Sequence, residues 1–295
     1  LNRIDSNFMS HGTRCAGWLY MPDNCSSPPV VIMAHGFGAE RSFRLPAFAK
    51  RFCELGLAVF LFDYRNFGDS DGEPRNLISP KRHLEDWLSA INYVRSLKMV
   101  DGTRLALFGT SFSGGHILVT AANTPGISAI VAQVPFVDGI ASASLYPVRF
   151  QVRAFAHAML DLLSIIFRTK PHYIPIVAEP NQFGLMNTAE CMPGVLSILP
   201  PDYQWKNYAP ARIALTLPLY RPVNYASRIK CPALIIAAER DSLIPLWAVE
   251  KTAAKIPDAK IIKLPCGHFD VYTGELFEKV VSLEADFLAQ HLLKN

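Results

Sequence analysis

Short unbroken apolar runs alternate, along most of this chain, with segments whose apolar residues recur every three or four positions. Val30-Val31-Ile32-Met33-Ala34 lies between Pro28-Pro29 and His35-Gly36, the pattern of a strand buried on both faces. Phe48, Phe52 and Leu55 then fall at helical spacing, and residues 57–62 form a second buried run that ends in the turn-rich stretch 66–72. Ser79-Pro80 supplies a capping hydroxyl and a proline at the first helical position, and Leu84, Leu88, Ile91, Val94 and Leu97 predict a helix of about five turns. Further strands are expected at 104–109, 128–134, 233–238 and 260–264, and helices at 113–123, 246–256 and around Leu276, Val280, Leu283 and Phe287. Residues 15–21 suit an antiparallel edge strand. This alternation predicts an α/β fold, a mainly parallel sheet covered by helices on both faces, with ligands bound beyond the carboxyl ends of its strands.

The alternation lapses in the middle. Of 22 prolines, 11 lie at positions 135–222, and positions 171–220 hold only five charged residues, Glu179, Glu190, Asp202, Lys206 and Arg212. The 295 residues, half of them apolar, are therefore read as one core domain, 1–134 and 226–295, interrupted by a cap insertion at 135–225. Phe183, Leu185, Met186, Tyr203, Trp205 and Tyr208 give the insert the bulk to enclose an apolar group. A helix at 152–167 fits cap core, a homodimer face or a shallow membrane contact, and its proportions favour cap core. Its greasiest part, 155–167, is broken by Asp161 and falls short of the roughly 20 residues a bilayer span needs, so no transmembrane segment is expected.

Composition narrows the classes further. The net charge of +4 is spread without a basic run, which leaves no nucleic-acid footprint. Six cysteines form no Cys-x-x-Cys pair, against a zinc site or a disulfide framework. No phosphate-binding glycine motif is present, so no cofactor is called for. The opening LNRID lacks an apolar signal core, and a reducing, cytoplasmic setting is the expectation.

The sharpest chemical signal is Gly109-Thr110-Ser111-Phe112-Ser113-Gly114-Gly115, where a strand runs directly into a helix. That is the context of a nucleophile elbow, in which small neighbours let a strained turn push Ser111 out at the end of the sheet. Serine needs a base, and the base an orienting acid. Asp241 follows the strand at 233–238 and His268 the strand at 260–264, giving the chain order Ser, Asp, His. The oxyanion donors expected are the main-chain N–H groups of Phe112 and of Phe37, the latter within His35-Gly36-Phe37-Gly38.

Other side chains fit these roles less well. Glu239 is an alternative acid but falls where the strand still runs, and Asp270 is too close in sequence to His268 and suits loop bracing. His35, His83, His116 and His157 lack the context of a catalytic base and read as structural histidines. Ser70, inside Gly68-Asp69-Ser70-Asp71-Gly72, reads as a turn serine.

With these residues in place the chain resembles the α/β-hydrolase superfamily along nearly its whole length. The strings 109–116, 132–139 and 267–272 are similar to those of bacterial hydrolases of mostly unassigned substrate and of the related fungal polyketide transferases. The resemblance implies acyl transfer through an acyl-serine, to water or to an alcohol. The leading expectation is a serine esterase or thioesterase acting on a small-molecule ester or thioester with a hydrophobic part. An acyltransferase, and a non-catalytic ligand-binding protein on the same scaffold, are the alternatives; a peptidase is weaker, since nothing marks a peptide-terminus site.

Overall fold

The computed structural model describes residues 2–23 and 25–293. In chain order the elements are β1 (Asn2–Asp5), β2 (Phe8–Ser10), β3 (Thr13–Cys15), β4 (Gly17–Met21), β5 (Pro29–Ala34), α1 (Leu45–Glu54), β6 (Ala58–Phe62), α2 (Pro80–Ser96), β7 (Asp101–Thr110), α3 (Phe112–Asn123) and β8 (Ala129–Gln133). Then follow α4 (Gly139–Ala143), α5 (Val148–Ile166), β9 (Tyr173–Ile174), α6 (Cys191–Ile198), β10 (Ala209–Pro210), α7 (Ile213–Thr216), β11 (Ala233–Ala238), α8 (Leu246–Ala253), β12 (Ala259–Leu264) and α9 (Gly274–Leu292).

Eight strands form one sheet in the order β1-β4-β6-β5-β7-β8-β11-β12. From β6 to β12 all neighbours are parallel, while β1 and β4 are antiparallel additions. Every residue of β5, β6, β8 and β11 is buried, which is why these strands read as unbroken apolar runs. The connection from β5 goes through α1 to β6 on one side, and the chain then crosses through α2 to β7 on the other. The loops after β5 and β7 therefore diverge around a crevice at the carboxyl end of the sheet, the usual place for a ligand in such folds.

Three expectations are corrected. The edge strand is β1, which pairs with β4; Cys15 belongs instead to the separate β2–β3 hairpin. The mostly polar Asn-Arg-Ile-Asp of β1 carries no apolar run because it is largely exposed. In α5 the buried residues are small or polar, Ala154, Ala158, Asp161 and Ser164, whereas Val148 and Ile166 are 74% and 70% exposed. The helix is thus not packed as cap core on its large side chains. It is tied down through Asp161, which accepts Arg212 Nε at 2.6 Å, Arg212 Nη2 at 2.9 Å and the main-chain N–H of His172 at 2.9 Å. In α2, Ser79 caps the first turn as expected, but the inward face is centred on Trp87 with His83 and Asp86, and Leu88 is exposed.

No strand of the large sheet comes from residues 134–232. That segment lies over the crevice: Trp205 Nε1 donates to the Gly38 carbonyl at 3.1 Å, Tyr203 donates to Glu40, and the side chain of Ile176 occupies the space a Cβ at Gly38 would need. Among the described residues no helix is long and apolar enough to cross a membrane.

Candidate active site

Ser111 stands between β7 and α3 with φ 54° and ψ −120°, a backbone conformation that costs a side-chain-bearing residue of order 1–3 kcal/mol. Strand β8 and the residues just after it hold it there, since Ser111 N–H donates to the Gln133 carbonyl and Phe136 N–H to the Ser111 carbonyl, each at 2.8 Å. A Cβ at Gly109 would lie 2.4 Å from the Ser113 carbonyl oxygen, so only glycine lets the turn close. Ser113 fills the position where a second glycine is commoner because it is used: its hydroxyl lies 2.9 Å from Tyr64 OH, which also accepts from Trp87 Nε1 at 2.9 Å.

The loops after β11 and β12 bring the other two side chains to this serine. His268 Nε2 lies 3.0 Å from Ser111 Oγ, and its Nδ1 lies 2.7 Å from Asp241 Oδ2. The other carboxylate oxygen of Asp241 accepts the N–H groups of Leu243 at 2.8 Å and Ile244 at 2.9 Å, which fixes the plane of the carboxylate. Burial pushes the pKa of His268 down, but the charge and hydrogen bond of Asp241, with a further contribution from Glu190, more than offset it, and the net direction is upward.

Phe37 and Phe112 meet edge to face, with ring centroids 5.2 Å apart, and line the same cavity as Ser111. Phe112 opens α3, so its N–H is among those a helix leaves without an intrahelical acceptor. Gly36 places the backbone before Phe37 close to the serine: its Cβ, if present, would be 3.0 Å from Ser111 Cβ.

The other candidate side chains are engaged in contacts of their own. Glu239 is exposed, and Asp270 accepts the Gly267 N–H at 2.7 Å, bracing the histidine loop. Ser70 donates to the Asp63 carbonyl within its turn. His35 is buried with Nδ1 3.1 Å from the Gly36 carbonyl. His83 and His116 are joined at 3.2 Å, and His116 Nδ1 lies 2.7 Å from Tyr220 OH; burial lowers the pKa of both, His116 to about 3. His157 pairs with His172, in the segment between β8 and β11, at 2.8 Å.

A cavity of about 580 Å³ opens on one side of Ser111, walled by Phe136, Phe150, Leu185, Met186 and Leu217 among others. A second space, lined by Ser111, His268 and Trp205 among others, holds only about 40 Å³. Glu190 is not among the residues the sequence singles out, yet its carboxylate accepts the main-chain N–H of His268 at 2.8 Å and that of Ser242 at 2.9 Å. Its only sequence signal was its rarity as one of five charges in a 50-residue stretch.

A mainly parallel sheet with a serine on a strained strand-to-helix turn at its switch point, and with an aspartate and a histidine on the loops of two later strands, is the architecture of α/β hydrolases. The chain belongs to that family: the alpha/beta hydrolase family model matches residues 31–280. It is 39% identical over 285 residues to the quorum-quenching protein AidA of Acinetobacter baumannii (strain MDR-ZJ06), covering 97% of this chain and 94% of that one. It is 29% identical to the polyketide transferase grgF of Penicillium sp, over 99% of this chain and 98% of that one. The crystal structure of GrgF superposes with a TM-score of 0.86 at 28% identity, covering all of both chains. A thiohydrolase of Aspergillus aculeatus (strain ATCC 16872 / CBS 172.66 / WB 5094), aneE, is 24% identical over 94% of this chain and 90% of its own.

Proposed function

We propose that this α/β hydrolase cleaves a carboxylic ester or thioester with an apolar acyl or alcohol part, through an acyl-enzyme on Ser111. The observation that carries the reading is the unbroken relay Asp241–His268–Ser111, at 2.7 and 3.0 Å, ending at the wall of the 580 Å³ cavity. Ser111 Oγ attacks the substrate carbonyl while His268 Nε2 takes its proton, and Asp241 holds the Nδ1–H tautomer and supports the imidazolium. The N–H groups of Phe37 and Phe112 are the donors for the oxyanion, an interaction worth about 100- to 1,000-fold in rate per donor. Collapse expels the alcohol or thiol, protonated by His268; in the second half-reaction water, deprotonated by His268, attacks the acyl carbon, and the bond to Ser111 Oγ breaks as His268 returns the proton to it, releasing the free acid.

The two spaces beside Ser111 divide the labour. The large one suits an extended apolar acyl chain, whereas the small chamber beside His268 admits a water molecule and little more, which favours hydrolysis. The polyketide transferase relative supports a second reading, transfer of the acyl group to an alcohol that enters through the larger cavity.

Labelling with a fluorophosphonate, read by intact mass beside Ser111→Ala, tests the serine step; absence of an adduct on folded protein overturns it. Incubation with acyl thioesters of graded length, with and without alcohols, sorts the readings. Free acid as the main product supports hydrolysis, and ester product replaces it with transfer.

A further inference from the structure

Glu190 stands at the amino end of α6 in the segment lying over the crevice, yet its side chain reaches the two loops that carry Asp241 and His268. Oε2 accepts the main-chain N–H of His268 at 2.8 Å; Oε1 accepts the main-chain N–H of Ser242 at 2.9 Å and also the Ser242 hydroxyl. Ser242 Oγ, having donated to Glu190, accepts from Thr188 Oγ1 at 2.6 Å. The same helix rests on the histidine loop, for a Cβ at Gly194 would lie 2.3 Å from the Phe269 ring. Leu185 and Met186, which wall the acyl cavity, lie a few residues upstream.

We infer that Glu190 is a positioning residue through which the crevice-covering segment sets the acid–base pair: one carboxylate fixes the main chain at His268 and beside Asp241, and its charge supports the imidazolium. This rests on the serine-hydrolase reading for its kinetic consequences, though not for its geometry. Three donors converge on two oxygens, a task only a carboxylate performs. A glutamine has one acceptor oxygen, so in either orientation its NH₂ group faces the N–H of His268 or the donors of Ser242. The titratable groups facing the His268 ring and main chain are Asp241, Ser111 and Glu190; Asp270, on the same loop, is turned to Gly267 N–H. Removing the Glu190 charge therefore moves the His268 pKa down, the opposite of its present direction.

The test is Glu190→Gln, with His268 titrated by NMR of ring-labelled histidine and kcat and KM measured against pH on a chromogenic ester. The expected result is His268 titrating at lower pH than in the wild type, the acid limb of kcat/KM moving down with it, and kcat falling about tenfold or more at little changed KM. An unchanged titration overturns the proposal, whether activity is kept or is lost together with thermal stability, since the second outcome describes a structural brace. Should Glu190→Gln not fold, Ser242→Ala decides: it keeps the charge and loosens the clamp, so kcat should drop several-fold with the His268 titration in place, and an unchanged kcat overturns the proposal. A wild type that takes no fluorophosphonate overturns the serine reading alone, because the NMR titration still reports on Glu190 and His268.

Discussion

The carboxylate of Asp241 lies 2.7 Å from Nδ1 of His268, and its second oxygen is occupied by the N–H groups of Leu243 and Ile244. Each oxygen thus has one orientation-dependent task. In Asp241→Asn the two main-chain donors hold the amide oxygen on their side and turn the NH₂ toward His268, which forces the proton onto Nε2 and leaves no lone pair for Ser111. We expect kcat to fall about 10,000-fold, as for the same change in serine proteases, with a folded protein by circular dichroism. Glu239→Gln, on an exposed side chain, should leave kcat within about twofold; the reverse pattern reassigns the acid.

The pH profile follows from the same pair. Because the folded-state pKa of His268 is raised, the ring stays protonated, and unable to act as a base, to a higher pH than a free imidazole. The acid limb of kcat/KM should therefore lie above about 6.5, the ordinary histidine value. A limb at or below that value in an otherwise active enzyme contradicts the assignment.

The strain at Ser111 predicts a gain in stability at the expense of activity. Its φ of 54° with ψ −120° is open to glycine without steric cost. Ser111→Gly should be inactive and should unfold at higher denaturant concentration by about 1 kcal/mol, measured by urea titration at constant m.

How legible this molecule was depends on burial. Ala233–Ala238 was readable to the residue because a central parallel strand is apolar on both faces, and Ser79-Pro80 because capping chemistry is local. β1 has no signal in the sequence, since an exposed edge strand needs no apolar pattern, its register being set by pairing with β4. Asp241 and His268 follow from chain order and strand ends. Glu190, by contrast, meets Ser242 and His268 across 52 and 78 residues, a contact that only the folding of the middle segment over the sheet creates. The large apolar side chains of α5 misled in the other direction, because composition does not say which face a helix turns inward.

Ser113 supplies a prediction about the elbow's departure from a second glycine. Tyr64, Trp87 and Ser113 share a buried hydrogen-bonded cluster. Ser113→Gly removes a partner of the Tyr64 hydroxyl and adds backbone freedom, so it should cost about 1–3 kcal/mol in stability while leaving fluorophosphonate labelling of Ser111 intact. Loss of labelling without loss of stability would show that Ser113 acts on the chemistry instead.

Glu284 on α9 is wholly buried, neither carboxylate oxygen has a partner among the described residues, and burial holds its pKa well above the usual carboxylate range. The folded state therefore keeps a proton there that the unfolded chain releases near pH 4.5. Its contribution to stability is present in full below that pH and is lost progressively as pH rises toward the folded-state value. Glu284→Met, close in size and without the ionisable group, should flatten this dependence and raise Tm at pH 8 by about 2 °C or more, with little change at pH 4. Equal Tm shifts at both pH values would mean that packing, not the proton, accounts for the difference.

The cavity yields the prediction that bears most directly on substrate. Ala143 lines this cavity with Ser142, Tyr146 and Leu215, and it has no side chain beyond Cβ to give way. Ala143→Phe places a ring in the space an acyl chain would fill, without touching Asp241, His268 or Ser111. Each methylene kept out of an apolar site forfeits about 0.8 kcal/mol, roughly fourfold in kcat/KM. On a series of acyl thioesters or p-nitrophenyl esters the chain-length optimum should shift to shorter acyl groups, while kcat/KM for the acetyl member stays near the wild-type value. A uniform loss across the series would place the ring in the path of the carbonyl, and an unchanged optimum would remove this cavity as the acyl site.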